Sequence, residues 1–142
     1  MILVTGGTGL LGSHLLYQLC LENDHIRSIH RRNSDLTAVK KVFSYYSEDF
    51  ISLFNKIEWI ECDLTDVHSL DGVFEKVSYV YHVAALVSFD PRDYKKMRKI
   101  NIEGTANIVN FCIANSIRKL CYVSSIATLE KRLNKDIINE VK

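Results

Sequence analysis

The sequence predicts an α/β fold, namely a doubly wound parallel sheet with helices on both faces. Short apolar segments alternate with segments whose apolar residues recur about every 3.6 residues, which is typical of alternating strands and helices. A glycine-rich turn separates the first strand from the first helix. Polar residues follow the later strands directly, at the ends where such sheets bind ligands.

Three strands are predicted in the first half of the chain, at residues 1–5, 26–30 and 57–62. The first helix follows the glycine turn, since its apolar positions recur at helical spacing: Leu11, Leu15 and Leu19. A second helix is predicted at residues 36–46, with Asp35 as its N-cap. These elements form two successive strand-helix-strand units.

The second half predicts a short helix at residues 69–74 and a fourth strand at 79–85, apolar on both faces like a central parallel strand. A long helix follows, with apolar residues at helical spacing from Met97 to Cys112, and then a fifth strand at 120–123. Right-handed crossovers give the strand order 3-2-1-4-5. We therefore expect a Rossmann doubly wound sheet, truncated after about five strands, with a charged tail at 129–142.

Composition excludes several classes of function. Lys and Arg number 18 against 17 Asp and Glu, so no basic surface for nucleic acid is expected. The apolar start, residues 1–4, is too short for a signal peptide or a membrane span. The cysteines lack CxxC spacing and lie in apolar segments, which predicts buried, reduced thiols, no metal site and a cytoplasmic location: Cys20, Cys62, Cys112 and Cys121.

The glycine turn, residues 5–12, matches two overlapping patterns, GxGxxG and GxxGxxG, between a strand and a helix. The small residues permit a tight turn and close approach of the backbone to a pyrophosphate, and the helix N-terminus favours an anion. A glycine turn without a ligand is the alternative. We expect a nicotinamide dinucleotide to be held here by Gly6, Thr8, Gly9, Leu10, Leu11 and Gly12.

The end of the second strand indicates which dinucleotide is bound. An acid about 20 residues after the glycines ordinarily binds the ribose 2′-hydroxyl of NAD. Here the residues are His30, Arg31 and Arg32, and arginine can chelate a 2′-phosphate that a carboxylate would repel. NADP is therefore favoured, with NAD possible. The alternative is that both arginines belong to a solvated loop.

Four later segments, at residues 63–64, 82–85, 101–105 and 124–125, identify a family. Together with the glycine turn they resemble the extended short-chain dehydrogenase/reductases, also called the NAD-dependent epimerase/dehydratase family, up to about Thr128. His-Val-Ala at 82–84 and a bulky residue before Ser-Ser are nearer to the dihydroflavonol reductase and hydroxysteroid dehydrogenase branch. Epimerases usually carry Asn in place of His82, for which a satisfied core histidine is the alternative.

The resemblance implies a role for each segment. Asp63 would bond the adenine amino group and Leu64 would pack on the ring, whereas Asn101 would support the active-site water network. Ser124 would contribute to the cofactor site, and Ser125 would be the catalytic serine that bonds the substrate oxygen. The pyrophosphate and nicotinamide ribose would be lined by Val83, Ala84 and Ala85. Considered singly, these residues could be turn formers, tight packing or a strand terminator.

The family's acid/base pair, Tyr-x-x-x-Lys, is absent, because none of the seven tyrosines has Lys four residues later. We therefore expect residues 1–128 to be the NAD(P)-binding domain of a reductase of small molecules, and 129–142 a fragment of the missing catalytic part. Alternatives are an epimerase/dehydratase fragment and a stand-alone regulatory module that binds a dinucleotide. Apolar surface left exposed beside the fifth strand predicts a homo-oligomer.

Overall fold

Five parallel strands form one sheet in the computed structural model. The strands are β1 (Ile2–Thr5), β2 (Ile26–His30), β3 (Ile57–Glu61), β4 (Tyr79–His82) and β5 (Lys119–Tyr122). They lie in the order β3-β2-β1-β4-β5, which confirms the predicted topology. The structure describes residues 1–125 and residue 128, so the predicted tail at 129–142 lies outside the described residues.

Helices connect the strands. The α-helices are α1 (Leu10–Glu22), α2 (Leu36–Ser44), α3 (Phe50–Asn55), α4 (Tyr94–Arg98) and α5 (Thr105–Ala114). A π-helical segment, Lys99–Gly104, joins α4 to α5, so the predicted long helix exists but changes its winding midway. Such wide turns are frequent at functional sites. Asp35 caps α2 as expected, because its side chain accepts a hydrogen bond from the Thr37 N–H.

The core lies on both faces of the sheet. Leu3 and Val4 are neighbours on β1, and both are fully buried because successive side chains of a strand point to opposite faces. Leu3 belongs to a cluster with Val80 and Ile108, on the face covered by α5. Val4 belongs to the opposite cluster, with Leu16 and other side chains from α1, α2 and α3. Burial on both faces explains why β1 is a continuous apolar run.

Several predicted boundaries were wrong. The helix predicted at 69–74 is a 3₁₀ turn, Val67–Leu70, followed by turns through Gly72, whose φ of +77° is left-handed and incompatible with a continuing helix. β4 ends at His82, not at residue 85. Helix α3 was missed, because six residues are too few for a periodic signal.

A buried arginine holds the loop that replaces the predicted helix. Arg27 Nη1 donates hydrogen bonds to the carbonyl oxygens of Gly72 (3.3 Å), Val73 (2.6 Å) and Glu75 (3.2 Å). Its charge pairs with Glu58 at 2.9 Å. Arg27 thus satisfies loop carbonyls that a helix would have satisfied by itself.

The β5 side of the sheet exposes apolar side chains, as expected from the sequence. Ile113 on α5 is 74% exposed, and Tyr122 at the end of β5 is 52% exposed. The prediction that all four cysteines are buried was wrong for one of them. Cys20, Cys62 and Cys112 are buried, but Cys121 is exposed because β5 is the edge strand among the described residues. Burial raises the pKa of the Cys20 thiol to about 11, which keeps that side chain a neutral thiol.

Candidate functional site

A cleft of about 610 Å³ opens at the carboxyl ends of the strands, where the chain passes from one side of β1 to the other. This is the position at which doubly wound sheets bind ligands, and the volume suits a cofactor. The cleft brings together most of the predicted residues: Gly6, Thr8, Gly9, Leu10, Leu11, Gly12, His30, Arg31, Asp63, Leu64, Val83, Ala84 and Ala85.

The glycine turn forms the floor of the cleft. Gly6 has a φ of +71°, and a Cβ there would lie 2.6 Å from the Ala84 backbone nitrogen. The Gly9 N–H bonds the Gly6 carbonyl at 3.0 Å, and a Cβ on Gly12 would overlap the same carbonyl. Gly12 therefore permits the turn itself to fold back on α1. Only glycine fits at these two positions without moving the backbone.

The N-terminus of α1 faces this turn. Gly9 is its N-cap and supplies no side-chain hydrogen bond, and the first turn carries no acidic residue. Leu10, the first helical residue, is 80% exposed and lines the cleft. The N–H groups of the first turn and the positive end of the helix dipole are therefore available to an anion.

A buried network forms the wall beside the glycine turn. The Ala84 N–H donates to Thr5 Oγ1 (3.2 Å), and the same hydroxyl oxygen lies 2.6 Å from His82 Nδ1. His82 Nε2 lies 2.9 Å from Thr105 Oγ1, so each ring nitrogen has a hydroxyl group as its hydrogen-bond partner. Burial lowers the pKa of His82 to about 4, so the ring is neutral. His82 is thus a satisfied core histidine, one of the two interpretations open from the sequence.

Asp63 lies at the end of β3, on the opposite side of the cleft. Its Oδ1 accepts hydrogen bonds from the Thr65 N–H and hydroxyl, both at 2.8 Å. The backbone hydrogen bond from Thr65 is the main cause that lowers the pKa of Asp63, and the charges of Lys99 and Arg31 lower it further. Burial opposes these effects only in part. The carboxylate is therefore ionised and has a fixed orientation.

The two predicted arginines differ in position. Arg31 lines the cleft, and its backbone is held in a tight turn by Ser34, whose hydroxyl accepts the Arg31 N–H at 3.1 Å. His30 lines the cleft too, with Nδ1 3.0 Å from the Arg31 carbonyl oxygen. Arg32 is exposed and does not line the cleft.

Asn101, Ser124 and Ser125 also lie outside the lining of the cleft. The Asn101 amide bonds both backbone groups of Leu86, accepting from its N–H at 2.8 Å and donating to its carbonyl at 2.9 Å. Leu86 lines the cleft, so Asn101 acts on the cleft through that backbone. The Ser125 carbonyl accepts the Thr128 N–H at 3.0 Å. The roles implied for all three side chains stay predictions.

Sequence reasoning missed the contribution of α4 and the π-helical segment. Lys96, Lys99 and Ile100 line the cleft and, at spacings of three and four residues, share one helix face. The basic run at residues 95–99 was the available signal. The remaining lining residues lie at the strand ends or in the segments that follow them: Ile29, Ser34, Cys62, Thr65, Leu86 and Val87.

Residues 1–125 and residue 128 contain neither a metal-binding cluster nor a membrane-spanning helix. No group of three or more His, Cys, Asp or Glu side chains there could hold a metal ion. No helix in that part of the chain is long and apolar enough to cross a membrane.

The fold and the cleft define a dinucleotide-binding domain of the Rossmann type. The model of the 3-beta hydroxysteroid dehydrogenase/isomerase family matches residues 3–141, and the chain belongs to this family. The resemblance to extended short-chain dehydrogenase/reductases of the hydroxysteroid dehydrogenase and dihydroflavonol reductase branch is thereby confirmed.

Individual relatives agree with this assignment. Dihydroflavonol 4-reductase from Callistephus chinensis is 31% identical over 130 residues, which are 90% of this chain and 34% of that enzyme. The crystal structure of gox2253 superposes with a TM-score of 0.78 at 28% identity, covering 96% of this chain and 37% of the other. A short-chain dehydrogenase/reductase superfamily protein from Agrobacterium tumefaciens, solved with bound NAD, gives 0.67 at 26% identity, covering 88% and 32%. The chain spans about a third of the length of the curated relatives it matches.

Proposed function

We propose that the cleft binds NADPH and that the chain is the cofactor-binding portion of a reductase acting on the carbonyl or hydroxyl group of a small molecule. The observation that carries this proposal is the meeting of the glycine turn, Arg31, Asp63 and the 83–85 backbone in one cleft. The relative solved with NAD supports a nicotinamide dinucleotide. The preference for the 2′-phosphorylated form rests on Arg31.

The residues present fit the cofactor part by part. A pyrophosphate would lie against the N-terminus of α1, where Gly6 and Gly12 exclude side chains. The adenine would lie beside Asp63 and Leu64, and a 2′-phosphate beside Arg31. A carboxylate at the position of Arg31 would repel that phosphate by about 4 kcal/mol per unit charge at 4 Å and an effective dielectric of 20. Arginine instead offers a fork of donors.

The nicotinamide half would lie along Ala85, Leu86 and Val87. When bound, the cofactor supplies the hydride that reduces a carbonyl. The chain's own contribution is to hold the ring: Asn101 fixes Leu86, and Thr5 fixes Ala84. Ser125, which follows β5, would bond the substrate oxygen. Because the sequence contains no Tyr-x-x-x-Lys pair, this chain is proposed to bind the cofactor without turning it over.

To test this, the purified chain is titrated with NADPH and with NADH, and binding is monitored through tryptophan and cofactor fluorescence. We expect tighter binding of NADPH and no oxidation of it when carbonyl substrates are added. If the chain binds neither dinucleotide, the proposal is excluded. Appreciable reductase activity of this chain would exclude the proposal that it binds the cofactor without turning it over.

The second candidate is a stand-alone module that senses the dinucleotide and regulates a partner. Such a module needs only to bind the dinucleotide and requires no acid/base group. This candidate requires NADPH to change the affinity for a partner, which co-purification with and without NADPH measures. The predicted domain boundary at residue 128, the cytoplasmic location and the homo-oligomer stay predictions.

A further inference from the structure

The face of α4 and the π-helical segment that overhangs the cleft carries two lysines that neither the glycine motif nor the strand ends account for. Lys96 and Lys99 line the cleft together with Arg31, and among the described residues Asp63 is the one carboxylate in the lining. Three cations against one carboxylate make the cleft a site for a ligand with more than one negative charge.

The charges at the adenosine end are arranged around Asp63. Arg31 follows β2 and Lys99 begins the π-helical segment, and both are close enough to lower the pKa of the Asp63 carboxyl. Among the described residues, no ion pair involves Arg31 or Lys99, so both charges remain available to a ligand.

A 2′-phosphate bound beside Arg31 would also lie near Asp63, whose negative charge opposes it. Arg31 alone balances the carboxylate and leaves little net attraction for a dianionic phosphate. A second cation on a different element restores a net attraction for the phosphate. Lys99 is exposed, and its long side chain can move toward the phosphate without rearranging the backbone.

We propose that Lys99 is a second specificity residue for the 2′-phosphate of NADPH, acting together with Arg31 across Asp63. The inference rests on the proposed function and assigns part of its cofactor preference to the π-helical segment. Lys95 provides a matched control, since it belongs to the same basic run and is exposed but does not line the cleft.

The experiment compares Lys99→Gln and Lys95→Gln with the wild-type chain, using NADPH, NADH, 2′,5′-ADP and 5′-ADP as probes. For Lys99→Gln we expect affinity for NADPH and 2′,5′-ADP to fall roughly three- to tenfold, and affinity for NADH and 5′-ADP to change less than about twofold. Lys95→Gln should match the wild type for all four probes. Lys99→Arg should retain the preference, and higher salt should weaken it.

The outcomes separate this inference from the proposed function. Equal losses for NADPH and NADH in Lys99→Gln, or no difference from Lys95→Gln, would overturn the role of Lys99 while cofactor binding stands. A wild-type chain that binds neither dinucleotide would overturn both. Because Lys99 is exposed, neither glutamine variant should change the Tm, which a thermal melt verifies.

Discussion

Thr5 Oγ1 and His82 Nδ1 lie 2.6 Å apart, at paired positions on β1 and β4, and neither side chain is exposed. The same hydroxyl accepts the Ala84 N–H, so one buried threonine connects the histidine to the backbone that lines the cleft. Both ring nitrogens of His82 face hydroxyl groups and not carboxylates, so these contacts supply no negative charge to offset the cost of burying a protonated ring.

Stability is therefore expected to depend on pH through His82. Its pKa is about 4 in the folded chain and 6.5 ordinarily, so as pH falls the unfolded state takes up the proton first. The free energy of unfolding that depends on the neutral ring is fully present above about pH 6.5 and is lost as pH falls toward 4. The total loss approaches about 3 kcal/mol. Urea unfolding at about pH 7.5 and about pH 5 measures this loss.

The control for this prediction uses two variants. His82→Gln should be less stable at neutral pH and should lose most of the wild-type decline toward acid. His68→Gln, at an exposed position, should keep the wild-type slope. A slope shared by all three proteins would assign the pH dependence to other groups.

Gly6→Ala should disrupt the cleft more than Gly72→Ala does. Both glycines have a left-handed φ, +71° and +77°, which costs alanine about 1 to 2 kcal/mol. At Gly6 the added Cβ would also meet the Ala84 nitrogen at 2.6 Å, whereas at Gly72 the nearest atom is 3.9 Å away, on a flexible glutamate. Denaturant unfolding and NADPH titration of both variants measure the difference. Equal losses of stability and unchanged binding would contradict the close approach at Gly6.

Arg31→Asp should weaken NADPH much more than NADH, because it replaces a cation in the cleft with a charge that repels the 2′-phosphate. Arg32→Asp makes the same charge change outside the cleft lining and should have a small effect. Titration of both variants with both cofactors is the measurement. If the two variants lost NADPH affinity equally, the effect would come from long-range charge and not from contact by Arg31.

Asn101→Asp should loosen the nicotinamide end of the cleft. The substitution keeps an acceptor for the Leu86 N–H but removes the donor to the Leu86 carbonyl. We therefore expect the free energy of unfolding to fall by about 1 to 3 kcal/mol. Asn115→Asp removes an amide that donates to the Phe111 carbonyl at an exposed helix end, away from the cleft. Binding of NADPH should weaken only in Asn101→Asp. Unchanged NADPH binding would mean that the two hydrogen bonds between Asn101 and the Leu86 backbone do not contribute to the cofactor site.

Local patterns in the sequence were sufficient for the order of strands and for the glycine turn. Strand and helix periods are set by neighbouring residues, and crossover handedness then leaves few ways to arrange them. The turn at residues 5–12 could be identified because its steric demands fall within eight consecutive residues. Prediction was poorer at Gly72, where the loop conformation depends on Arg27, which is distant in sequence.

The sequence by itself determined the fold class, the position of the glycine turn and the family of this chain, since all three depend on local periods and spacings. Only the tertiary structure decided that Arg31 and not Arg32 lines the cleft, that Lys99 faces it, and that His82 is a satisfied core residue. The physical reason is distance along the chain. These roles depend on contacts between separate elements, such as Thr5 with His82, and one-residue steps around a turn or helix decide which side chain points inward.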